Sequence, residues 1–257
     1  MLTDLLPGVD VRRAGERPAT RIDWLDSKHS FSFGRHYDPS NTHFGLLLVS
    51  NDDIVAPGTG FETHPHRDME IVTWVLDGGL VHQDSEGHNG LIYPGLAQRM
   101  SAGTGILHSE KNDHGAFTRP DVSSKDPVHF IQMWVVPDEN GAAPGYEQLD
   151  ITSELTRGGL VPVASGMPAH AESSAIRIGQ RDAALFAARL SAGESVDLPT
   201  APFVHLYVAR GAVSLEGAGP LGTGDAARIT GAEGQRVTAT EDAEVLVWEM
   251  HAGVQFG

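Results

Sequence analysis

Two short segments hold side chains suited to binding a metal ion. Thr63–Glu70 reads THPHRDME, and Gly105–Glu110 reads GILHSE. Each offers two candidate ligands at i and i+2: His64 with His66, and His108 with Glu110. Residues two apart on a β-strand point to the same face. Two neighbouring strands can therefore aim three imidazoles and one carboxylate into one barrel interior. A lone His-x-His pair among 13 histidines carries little weight. Its Gly-rich frame carries more. Gly58 precedes the pair, Glu70 and Gly78 follow it, and Gly105 and Asn112 bracket the second segment. On the residues alone, Glu70 and Glu110 compete for the fourth position. Imidazole and carboxylate suit Fe(II), and also Mn, Co, Ni, Cu or Zn. A closed structural ion is the plainer alternative to a working one.

The elements that must position these groups are strands. Short alternating or β-branched runs bounded by Gly, Pro, Asp and Asn occur at Phe44–Val49, Glu70–Leu76, Leu80–His82, His129–Val136, Ala183–Leu190, Phe203–Ala209 and Ala243–Met250. Helical periodicity is scarce, and Tyr146–Leu155 is the segment expected to form a short helix. Thirty Gly and 15 Pro in 257 residues imply many turns. An all-β chain of jelly-roll barrels with a few short helices follows. The segment DENGAAPG, Asp138–Gly145, reads as a boundary, and the small-residue connector Arg157–Ser174 comes after it. The expected division is residues 1–140, which carry the metal segments, and residues 141–257, a linker plus a second barrel.

An internal repeat supports two tandem barrels. EIVTWVLDG at Glu70–Gly78 resembles FVHLYVARG at Phe203–Gly211. PGLAQRMSAGTG at Pro94–Gly105 aligns with TGDAARITGAEG at Thr223–Gly234 at a constant offset of 129, with Gly95/Gly224, Arg99/Arg228 and Gly105/Gly234 identical. At that offset His108 meets Val237 and Glu110 meets Ala239. The stretch opposite His64 and His66, Ser195–Pro199, has no histidine. The second barrel is therefore expected to lack metal ligands.

The bulk properties narrow the partners. The net charge is −16 and the pI about 5.1, which argues against nucleic acid and anionic membrane. Arg12, Arg13, Arg17 and Arg21 cluster near the start, interleaved with Asp10, Glu16 and Asp23, and read as solvated surface. With no cysteine, disulfides and thiol chemistry are excluded. No apolar leader opens MLTDLLPGVDVRR and no stretch approaches a membrane span, so a cytoplasmic protein is expected. His82 and Asp84 read as a solvated hairpin end, with His88 and His114 in similar polar stretches. His205 reads as a satisfied core histidine. Gln132 and Trp134, on one face of HFIQMWVV, either line the first barrel's cavity or fill its core.

The Gly, His and Glu frame resembles the two sequence motifs of the cupin superfamily. It departs in having seven residues between Glu70 and Gly78 rather than six, and Gly103 where Pro is usual. THPHRDMEIVTWVLDGGLVHQDSEGHNG followed by YPGLAQRMSAGTGILHSE is similar to the pirin family, nearest its bacterial quercetin dioxygenase-like members. WLDSKHSFSFGRHYDP, Trp24–Pro39, resembles the same members. The resemblance is dense from Asp23 to Val136 and thin beyond. It implies a bicupin with His64, His66, His108 and Glu110 as ligands of one divalent ion, usually iron, and Glu70 as a supporting residue. It implies a flavonol and dioxygen as substrates, with Glu110 as general base. The alternative it carries is a metal-dependent regulatory or redox-sensing protein that binds a protein partner.

Overall fold

Apolar residues recur along runs of two to eleven residues, and turn formers close the runs, so the chain folds as short, mostly antiparallel strands. The computed structural model describes residues 8–254 apart from 116 and 118. Residues 1–7, the start of the segment read as free of an apolar leader, lie outside the described residues. The first part holds β1 (Gly8–Arg12), β2 (Ala19–Ile22), β3 (Leu25–His29), β4 (Leu47–Val55), β5 (Gly60–His66), β6 (Glu70–Asp77), β7 (Leu80–Asp84), β8 (Asn89–Ile92), β9 (Leu96–Ser101), β10 (Ile106–Lys111) and β11 (Val128–Val135). β12 (Gly145–Asp150) and one helical turn, α1 (Thr152–Leu155), follow. The remainder holds β13 (Val161–Ser165), β14 (Ile176–Arg177), β15 (Ala183–Leu190), β16 (Ser195–Asp197), β17 (Thr200–Arg210), β18 (Ala212–Leu215), β19 (Gly219–Gly222), β20 (Ala226–Glu233), β21 (Arg236–Ala239) and β22 (Ala243–Met250). No helix among the described residues is long and apolar enough to cross a membrane.

Two barrels result, each from a large and a small sheet. The first pairs β12-β9-β6-β11-β4-β3-β2 with β5-β10-β7-β8. The second pairs β1-β20-β17-β22-β15-β13-β14 with β16-β21-β18-β19. The small sheets share one order, and β9-β6-β11-β4 corresponds to β20-β17-β22-β15. Two strands cross the division expected at residue 140. β12 lies beyond it yet closes the edge of the first sheet, and β1 pairs with β20 of the second, Gly8 opposite Thr230. The helix expected over Tyr146–Leu155 is therefore corrected. Gly145–Asp150 is extended because the open edge of β9 offers it a ladder, and only Thr152–Leu155 is helical.

Strand alternation feeds two cores at once. Along β22, Val245 and Val247 point into the second barrel, while Leu246, Trp248 and Met250 point to the seam between barrels. There they meet Val72, Trp74, Ile131 and Met133 from β6 and β11. Trp74 Nε1 donates to Glu244 Oε1 at 2.6 Å, and Trp248 Nε1 lies 3.2 Å from Met133 Sδ. Truncating either buried indole would cost about 3–5 kcal/mol. The seam fixes the outer face of the first large sheet, which leaves its inner face free to carry polar groups.

Two sequence expectations change here. Arg12, Arg13 and Arg21 are exposed, but the Arg17 side chain is only 4% exposed and donates to Asp52. His205 is buried as expected, yet its Nε2 has no partner.

Candidate metal centre

β5 and β10 are antiparallel neighbours, and their register sets His64 opposite His108 and Ile106 opposite His66. Two residues of β10 then span three of β5, since Glu110 pairs with Phe61. The extra residue is a bulge in β5, a device that re-aims side chains beside functional sites. Gly60, with φ +154°, permits this approach, because a Cβ there would collide with the Glu110 carbonyl. The outcome is a compact triad. The candidate ligand atoms of His64, His66 and His108 all lie within 4.8 Å of one another. Their ring centroids are 4.5 to 4.9 Å apart.

Hydrogen bonds fix which nitrogen the rings of His64 and His108 offer. His64 Nδ1 lies 2.7 Å from the Glu62 carbonyl, which can only accept, so Nδ1 carries the proton and Nε2 its lone pair. A longer chain acts on His108. His82 Nε2 donates to Asp84 Oδ2 at 3.1 Å, so His82 Nδ1 is an acceptor facing His108 Nδ1 at 3.5 Å. His108 thereby keeps its proton on Nδ1 and frees Nε2. The Nε2 atoms of His66 and His108 are buried without a partner. Burial, reinforced by the adjacent imidazoles, lowers His66 to about 4 and His108 to about 3, so both rings stay neutral. Neutral rings with inward lone pairs fit a divalent cation, and three nitrogens suit Fe, Co, Ni, Cu or Zn.

His82 and Asp84 therefore are not a solvated hairpin end. Their side chains are 1% and 0% exposed, because β12 brings the Tyr146 ring over His82 at 4.8 Å. His114 is buried too and donates from Nε2 to the Gly79 carbonyl at 3.0 Å. The sequence carried no signal for either, since the covering residues come from distant segments.

Glu110 stands beside the triad but outside its compact set. Gln132 Nε2 donates to both carboxylate oxygens, at 2.9 and 2.8 Å, and Trp134 Nε1 donates to Gln132 Oε1 at 3.0 Å. Glu70 lies elsewhere. It is buried and accepts from Ser101 Oγ at 2.7 Å, where it joins β6 to β9.

The site opens into a cavity of about 700 Å³, within the range that holds a small organic ligand. Trp24, Phe33, Phe61 and Trp134 give it aromatic walls, and His64, His66, Glu110 and Gln132 line one end. Gln132 and Trp134 thus face the cavity rather than fill the core. In the second barrel Val237 and Ala239, in the places of His108 and Glu110, are buried in a continuous apolar core.

The chain matches the family described as Pirin over residues 9–135 and the quercetinase C-terminal cupin domain over residues 162–250. It is 57% identical over 244 residues to a Mycobacterium tuberculosis protein that carries quercetin 2,3-dioxygenase as a provisional name, covering 95% of this chain and 96% of the other. It is 37% identical over 242 residues to the quercetin 2,3-dioxygenase of Escherichia coli K12, covering 93% and 97%. The crystal structure of the bacterial pirin YhhW from Escherichia coli in complex with nickel(II) superposes with a TM-score of 0.81 at 36% identity, covering 96% of this chain and 100% of that one. By fold and sequence together, the chain belongs to the pirin family of cupin proteins.

Proposed function

We propose that the protein is a metal-dependent dioxygenase that opens the central ring of a flavonol such as quercetin, taking up dioxygen and releasing carbon monoxide. The observation that carries this reading is the junction of inward-facing imidazoles with a flavonol-sized aromatic cavity. A divalent ion held by His64, His66 and His108, with Glu110 as fourth ligand, supplies Lewis acidity toward the substrate's 3-hydroxyl and electron exchange with dioxygen; Fe(II) and Ni(II) both suit the set. Glu110 takes the 3-hydroxyl proton on a carboxylate oxygen, while Gln132 keeps that carboxylate turned toward the cavity. Trp134 and Phe33, packed edge to face at 5.7 Å, bear on the planar rings and exclude water from them. The names of the curated relatives support the same chemistry. The alternative, a regulatory protein that binds a partner, gives the cavity no role.

The test is anaerobic loading with Fe(II), and separately with Ni(II), followed by quercetin and oxygen. Flavonol absorbance should fall with equimolar oxygen uptake, and His108→Ala and Glu110→Gln should abolish both. A rate in His108→Ala equal to that of the intact protein overturns the reading.

A further inference from the structure

Among the residues lining the cavity, two buried side-chain polar atoms lack a partner: His66 Nε2 and Asp53 Oδ1. The first belongs to the metal site. The second has no place in it. Asp53 is 3% exposed and lies on β4 between Ser27 of β3 and Phe130 of β11. It is two residues along from Asn51, which pairs across the strands with Gln132. The floor therefore runs from Glu110 through Gln132 and Asn51 to Asp53.

The other polar groups of that floor are satisfied. His29 Nδ1 donates to Asn51 Oδ1 at 2.9 Å, and Thr20 Oγ1 donates to His29 Nε2 at 2.9 Å. Among the described residues no ion pair reaches Asp53; Arg17 and His129 both bind Asp52 on the opposite face of β4. Ser27 alone supports Asp53, and burial, with the nearby Asp52 and Glu110 charges, lifts its carboxyl to about 7, so near neutral pH the group can either donate an O–H or accept a hydrogen bond. A buried carboxyl oxygen left without a partner is expensive in a folded protein, and Asp53 Oδ1, on the cavity lining, marks a place that a ligand can complete.

We infer that Asp53 is a specificity-determining residue that hydrogen-bonds a phenolic hydroxyl of the substrate, on a ring away from the one that meets the imidazoles. The inference rests on the dioxygenase reading and sharpens its substrate class: polyphenols bearing a second, distant hydroxyl, ahead of flavonols that carry the 3-hydroxyl alone.

The experiment compares quercetin with 3-hydroxyflavone in the metal-loaded protein and in Asp53→Leu and Asp53→Asn. Binding is read anaerobically by tryptophan quenching, turnover by oxygen uptake, and stability by melting temperature. Intact protein should bind quercetin at least about tenfold tighter than 3-hydroxyflavone. Asp53→Leu should erase that ratio, leave 3-hydroxyflavone binding unchanged, and melt no lower than the intact protein. Asp53→Asn should restore part of the ratio. Equal losses for both ligands, or an unchanged ratio in Asp53→Leu, overturn the inference. If Asp53→Leu melts too low to assay, the isosteric Asp53→Asn decides through the same ratio. Binding discrimination without turnover would sink the dioxygenase reading and leave the recognition role standing.

Discussion

Asp52 and Asp53 are neighbours on β4 that face opposite ways, Asp52 into the seam between the barrels and Asp53 into the cavity of the first. Burial works against the charge of both. At Asp52 it is outweighed by hydrogen bonds from His129 at 2.7 Å and Tyr207 at 2.6 Å, with Arg17 beside them, so its carboxyl sits well below the usual range. Asp53, helped only by Ser27, rises to about 7.

The pair predicts opposite pH dependences of stability. A depressed carboxyl contributes stability above its unfolded value, near 4, and loses it as pH falls toward the folded value. A raised one contributes fully below the unfolded value and loses that contribution as pH rises to about 7. Asp52→Asn should therefore cost about 3–5 kcal/mol at neutral pH, less in acid. Asp53→Asn should gain on the order of a few kcal/mol at pH 8 and nothing near pH 4. Urea unfolding of the metal-free protein at the two pH values measures both. Equal effects of Asp53→Asn at both pH values would show the assignment to be wrong.

The chain Asp84–His82–His108 predicts a control on metal affinity away from the ligands. His82→Phe keeps a ring under Tyr146 but removes the acceptor that holds His108's proton on Nδ1. Metal affinity should fall about 10- to 100-fold with the fold intact. Competition with a chelator of known affinity reads this directly, and an unchanged constant would rule out the relay.

Much of this was legible from the chain. β15 and β22 coincide with the runs Ala183–Leu190 and Ala243–Met250, because both faces of each strand are buried and the runs are therefore mostly apolar along their whole length. The triad was legible because i and i+2 histidines on adjacent strands must share a face. What escaped depended on distant partners. Tyr146–Leu155 read as helical because nothing local reveals the open edge of β9. His82 and Asp84 read as solvated because their cover comes from β12. Asp53 sits in the polar run SNDD, where no period separates a cavity residue from a surface one.

Gln132 predicts a split between binding and turnover. Its amide is the bridge between Trp134 and the Glu110 carboxylate. Gln132→Leu keeps the volume and leaves the carboxylate only the long contact from Thr73 Oγ1 at 3.5 Å, so Glu110 loses most of its orientation toward the 3-hydroxyl. The kcat for quercetin should fall at least about tenfold while KM changes less than about threefold. A rise in KM with kcat intact would mean that Gln132 contacts the substrate instead.

The second barrel predicts the stoichiometry. β21 pairs with β16 and β18 as β10 pairs with β5 and β7, so Val237 and Ala239 occupy the stations of His108 and Glu110. Both are buried in the same apolar cluster as Leu206, Val213 and Leu215. Metal analysis after loading and desalting should give about one equivalent per chain, and His64→Ala with His108→Ala should bring it near zero. Val237→His with Ala239→Glu should not restore a second equivalent, because β16 offers Val196 and no histidine to complete the set. It should instead destabilise the chain, since it places unpaired polar groups in an apolar core, at about 1–3 kcal/mol for each. A second equivalent bound by the intact protein would place an ion outside the triad and refute the one-site account.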